Sequence, residues 1–118
     1  MESEVKHMAE EEMSQEMISF GIVASAGQAR SLAFEALSAA REGDFDRAQE
    51  LMDESEKIGL EAHDEQTKLL VKEANGEHTP VDVLLVHAQD HLMTSMLARE
   101  LIEELIYLHK EKADRDNA

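Results

Sequence analysis

Helix-stop and helix-start signals coincide at only two places in this chain, and they limit it to three long segments. Glu42-Gly43-Asp44 offers a glycine for a left-handed C-terminal cap and then an aspartate as the next N-cap. Gly76-Glu77-His78-Thr79-Pro80 offers a glycine stop, Thr79 as N-cap, proline at the first helical position, and Asp82 three residues after the threonine in a capping-box-like spacing. Pro80 is the only proline and aromatic residues make up 3% of the chain, so strand formers are scarce where Leu, Met, Ala and Glu abound. The pattern predicts an all-α fold with helices over about 13–42, 44–75 and 80–112. Residues 13–113 are expected to form one three-helix domain, flanked by an acidic flexible segment (1–12) and a polar tail (114–118). No internal repeat or linker marks a second domain.

Charge and residue inventory narrow the chemistry. Asp and Glu number 27 against 11 Lys and Arg, a formal charge of -16, which disfavours any partner bound through a phosphate backbone. Cysteine is absent, so disulfides, thiolate catalysis and cysteine-ligated metals are excluded, and His, Asp and Glu remain as the reactive groups. The most apolar stretch, Met17 to Ala26, is too short to span a bilayer and follows glutamates rather than a basic segment. A soluble, cytoplasmic protein is expected.

Periodicity separates the second helix from the third. Phe45, Ala48, Met52, Gly59 and Ala62 recur at helical spacing beside Leu51, Ile58, Leu69 and Leu70, giving one apolar stripe with acidic residues opposite. In the third helix Leu84, Leu85, Ala88, Leu92, Met96, Ile102 and Leu105 cover one side, while Val83, Val86, Met93, Leu97, Leu101 and Leu108 cover much of another. Two partner helices in one chain bury a narrower arc than that, so the pattern predicts a homo-oligomer packed around the third helix.

A polar cluster interrupts this helix. His87, Asp90 and His91 lie at i, i+3 and i+4 and project from one side within a turn. Polar groups where burial is expected need partners or a chemical reason. Three readings stand: a polar layer fixing oligomer register, a metal site, or a nucleophilic histidine, since imidazole attacks phosphorus and yields a labile phosphoramidate. The metal reading lacks a second carboxylate-histidine set, its only Glu-x-x-His match being Glu4 to His7 in the N-terminal segment. His63 falls near the apolar stripe of the second helix and is expected as a hydrogen-bonded core residue. His7, His78 and His109, at a terminus, a turn and a helix end, are expected to be exposed.

The run His87-Ala88-Gln89-Asp90-His91-Leu92-Met93-Thr94 closely resembles the active-site signature of the lactose/cellobiose class of enzyme IIA of the bacterial phosphoenolpyruvate-dependent sugar phosphotransferase system. Gly27-Gln28-Ala29-Arg30-Ser31, Gly43-Asp44-Phe45, Glu61-Ala62-His63 and Gln66-Thr67 also resemble family positions, so the likeness spans about residues 17–110. Ala26 departs from the serine often found before the family's glycine, and the run Leu97 to Ile102 is most similar to the N,N'-diacetylchitobiose/cellobiose branch. The resemblance implies an antiparallel three-helix subunit in a parallel homotrimer. It also implies that His87 accepts phosphoryl on Nε2 from phospho-HPr and donates it to a cysteine of the cognate enzyme IIB, serving uptake of a β-linked disaccharide. By the same resemblance Asp90 lies near the trimer axis, where three copies bind one divalent cation such as Mg²⁺. The competing class is a non-catalytic helical scaffold using the His/Asp layer for register or metal.

Overall fold

The computed structural model describes the backbone throughout and the side chains of residues 1–6 and 14–118. It consists of α1 (Glu2–Arg41), α2 (Phe45–Ala74) and α3 (Val83–Asp116), packed as an antiparallel three-helix rod of 75 × 22 × 20 Å. Gly43 and Gly76 take φ of +87° and +85°, the left-handed conformation their place after α1 and α2 predicts. Asp44 caps α2 by accepting from the Arg47 backbone N–H at 3.1 Å.

Helix ends are where expectation and structure part. α3 begins at Val83, not Pro80, because Asp82 is the N-cap and accepts from the Leu85 N–H at 2.8 Å. An aspartate in extended backbone caps at least as well as a threonine, and it sits directly before the apolar run. Thr79 instead donates its backbone N–H to the Glu73 carboxylate at 3.3 Å, inside the turn. α1 reaches back to Glu2 and α3 forward to Asp116, since neither end carries a glycine or proline to stop a run of good helix formers. His7 and the Glu10-Glu11-Glu12 run lie outside the described side chains.

α1 supplies the seam. Ile22, Ala26, Ala29, Ala33, Ala36 and Ala40 alternate at spacings of four and three and are all fully buried or nearly so. Side chains this small let three helices approach closely but leave a thin core in two clusters. One joins Ala33, Ala36 and Ala40 to Leu51, Met52 and Ile102; the other joins Ile22 and Ala26 to Ala62, Ala88 and Leu92. Between them, the Ser55 hydroxyl crosses from α2 to donate to the Ala29 carbonyl at 2.5 Å.

On α3 the two predicted apolar sides separate, with one residue changing sides. Leu85, Ala88, Leu92 and Ile102 are buried against α1 and α2, whereas Val86, Met93, Leu97, Leu101 and Leu108 are each 54–58% exposed. Leu105, expected on the inner side, is 42% exposed and belongs to the outer one. A single chain therefore leaves a helical stripe of large apolar side chains uncovered along α3.

Candidate functional site

The polar cluster stands at the border between these two sides of α3. Asp90 is exposed and lies within the outer stripe, four residues after Val86 and seven before Leu97. His87 is exposed on the flank of the stripe, and Gln89 and His91 are half-buried. The cluster is thus not an internal layer of the chain.

Within it, the two histidines are the pair the fold brings together. The His87 and His91 rings stack with centroids 5.9 Å apart and planes 13° from parallel, as one helical turn dictates. His91 faces α1, where a Cβ on Gly27 would lie only 3.1 Å from its Nε2. Beneath the pair, the Thr94 hydroxyl donates to the Asp90 carbonyl at 2.9 Å and lies 3.2 Å from that of His91, which satisfies it along the helix. Neither ring has a hydrogen-bond partner among the described residues, and Asp90 forms no ion pair there. Among the described residues no three His, Asp or Glu side chains of one chain converge on a metal position. A transition-metal centre built from His87, Asp90 and His91 within one subunit is therefore not formed.

The remaining histidines divide. His63 is exposed, correcting its expected core position: it follows Ala62 directly, and Ala62 takes the inward place. His78 is exposed in the turn as expected, its Nδ1 2.7 Å from the Glu73 carboxylate. His109 is half-buried rather than exposed. Further along α3 from His91, Ser95 is buried and the Arg99 Nε is buried without a hydrogen-bond partner among the described residues, its guanidinium passing α2 at Gly59. A surface groove of about 530 Å³, lined among others by Gln15, Leu69, Lys72, His78 and Pro80, contains none of the signature residues.

Residues 17–110 match the family described as the lactose/cellobiose-specific IIA subunit of the phosphotransferase system. The chain belongs to this family. It is 53% identical over 96 residues to the N,N'-diacetylchitobiose-specific EIIA component of Escherichia coli K12, covering 81% of this chain and 83% of that one. Two solved structures share its fold. The cellobiose-specific enzyme IIA of Bacillus anthracis aligns with TM-score 0.80 at 43% identity, covering 83% of this chain and 90% of its own. The IIA subunit from a solution structure of the E. coli IIA(chitobiose)–HPr complex aligns with TM-score 0.73 at 51% identity over 83% and 95%. Enzyme IIA subunits are phosphoryl-carrying components of the phosphotransferase system, and the matched span takes in the whole His87–Thr94 signature. No helix among the described residues is long and apolar enough to cross a membrane.

The sequence singled out Gly27 only as a position of resemblance. Its proximity to His91 was not visible there, although a glycine inside a helix, where alanine is more stable by about 1 kcal/mol, already signals a demand for space.

Proposed function

We propose that this chain is a cytoplasmic phosphohistidine carrier that takes phosphoryl from phospho-HPr on Nε2 of His87 and hands it to a cysteine of its cognate enzyme IIB. The sugar served is a β-linked disaccharide, N,N'-diacetylchitobiose or cellobiose. The observation that carries this reading is the exposed His87 ring, held on a rigid helix by a stacked neighbour. A carrier must offer one nucleophile to two macromolecules in turn, and a convex, accessible imidazole does so where a deep pocket would not. The E. coli relative described in complex with HPr supports the choice of donor.

For transfer, His87 must be the neutral tautomer with its proton on Nδ1, leaving the Nε2 lone pair free. That pair forms the new N–P bond as the donor's N–P bond breaks and its electrons return to the donor nitrogen. In the second step a thiolate lone pair forms the S–P bond and the electrons of the His87 N–P bond return to Nε2. The protein contributes positioning and charge stabilisation rather than further covalent chemistry.

The uncovered stripe of α3 supports a parallel homotrimer, with Val86, Met93, Leu97, Leu101 and Leu108 meeting their copies. Asp90 shares that stripe, so three carboxylates would meet near the axis. One carboxylate binds a hard cation poorly, but three Asp90 side chains at an axis would supply oxygen donors of the kind Mg²⁺ takes. His87, on the flank of the stripe, would remain accessible at the rim.

Incubation with phosphoenolpyruvate, enzyme I and HPr, followed by mass spectrometric mapping, tests the reading. An acid-labile, base-stable phosphate on His87 is expected. A chain that gains none is a scaffold, and the carrier reading falls.

A further inference from the structure

Two glycines of α1, Gly21 and Gly27, lie in ordinary helical backbone, where glycine is less favourable than alanine. Their surroundings differ. A Cβ on Gly21 would meet nothing within 4 Å, whereas one on Gly27 would stand 3.1 Å from Nε2 of His91. Carbon and ring nitrogen rarely approach that closely, so an added methyl would push the ring away by a few tenths of an ångström.

That ring cannot shift without consequence. His91 is half-buried against α1 on one side and stacked on His87 on the other, its centroid 5.9 Å from that of the acceptor. His87 has no hydrogen bond of its own among the described residues, and its ring stacks on that of His91. We propose that Gly27 is a positioning residue: its bare backbone seats the Nε2 edge of His91 on α1 and so holds the acceptor ring of His87 in its transfer orientation. This rests on the reading of His87 as acceptor, but the seating of His91 is independent of it.

The test compares wild type, Gly21→Ala, Gly27→Ala, His91→Gln and the double variant Gly27→Ala/His91→Gln. Imidazole ¹⁵N resonances of the unphosphorylated protein are compared at one pH, and uptake from phospho-HPr is measured in a single turnover. Gly27→Ala should move the His91 Nε2 resonance and slow uptake about tenfold, since misplacement by a whole ångström costs about a hundredfold. Gly21→Ala should change neither. Added to His91→Gln, Gly27→Ala should slow uptake further by less than about twofold, because the two act through one contact.

Unchanged His91 resonances in Gly27→Ala, or slowing that adds in full to that of His91→Gln, would overturn the proposal. If wild type takes no phosphate on His87, the acceptor reading fails and the ¹⁵N resonances alone decide the seating. If Gly27→Ala does not fold, Gly27→Ala/His91→Ala should, because the space is restored; failure of that variant too would place the demand for glycine elsewhere.

Discussion

The His87 and His91 rings stack at 5.9 Å, but only His91 is half-buried; His87 is exposed. In the proposed carrier the pair would divide the labour that one histidine would otherwise have to combine. A nucleophile for two large partners has to be reachable, and a reachable imidazole on a bare helix samples several rotamers. In the proposed arrangement, seating the second ring on α1 would restrict the first without covering it. Their i, i+4 spacing makes the arrangement available from one turn of helix.

His87→Gln should keep its helical spectrum and assembly state yet take up no phosphate, whereas His91→Gln should still be phosphorylated, more slowly. Intact-mass measurement after incubation with the phosphoryl donors separates the two. Uptake by His87→Gln, or a phosphate mapped to His91 in wild type, would reverse the assignment.

The outer stripe of α3 leads to a prediction about assembly. Burying a side chain the size of leucine contributes about 1.5–3 kcal/mol, and several such residues per subunit stand more than half exposed. Light scattering should report about three times the 13.2 kDa chain mass. Leu97→Glu would bring three carboxylates together in that stripe and should yield helical monomers; an unchanged mass would mean that α3 is not the interface.

Both apolar sides of α3 were legible in the sequence except at Leu105, because a 3.6-residue period assigns faces without knowledge of the partner. The α2–α3 turn was not. Thr79-Pro80 and Asp82 offer rival helix starts, and only the tertiary arrangement, in which Glu73 takes the Thr79 N–H, decides between them. His63 shows a different limit. Adjacent positions on a helix differ by about 100°, so a residue beside the buried Ala62 can lie outside the stripe it borders. The His87–His91 pair followed from spacing, but the contact with Gly27 joins two helices far apart in sequence and carried no local signature.

The corrected helix start can be tested directly. Asp82→Ala removes the acceptor that holds the Leu85 N–H and should destabilise the protein by about 1 kcal/mol. Thr79→Ala leaves its backbone bond to Glu73 in place and should cost much less. Urea denaturation of both variants reads the difference; the opposite ranking would restore Thr79 as the cap.

The same turn predicts a pH effect. The hydrogen bond with His78, then that from the Thr79 N–H, holds the Glu73 carboxyl below its ordinary value of 4.5. The folded protein thus favours the carboxylate, so this contribution is present above about pH 4.5 and is lost as pH falls through the lowered folded value. A ¹³C titration of the Glu73 carboxyl should show a midpoint below 4.5 that rises toward it in His78→Ala. A midpoint unmoved by that substitution would assign the shift to the Thr79 N–H alone.

Asp90 decides whether the proposed axis carries a cation. Three carboxylates brought together raise one another's cost of ionisation, so without a cation they oppose assembly. Asp90→Leu replaces that charge with an apolar side chain matching Val86, Met93 and Leu97 on the same stripe. In EDTA the variant should therefore melt above wild type while remaining a trimer. Adding Mg²⁺ should raise the wild-type midpoint, because a ligand that binds only the assembled state stabilises it by mass action. The leucine variant, having lost the donors, should respond little. If Asp90→Leu instead melts lower than wild type in EDTA, or dissociates, Asp90 holds the interface by hydrogen bonding and the shared cation is wrong.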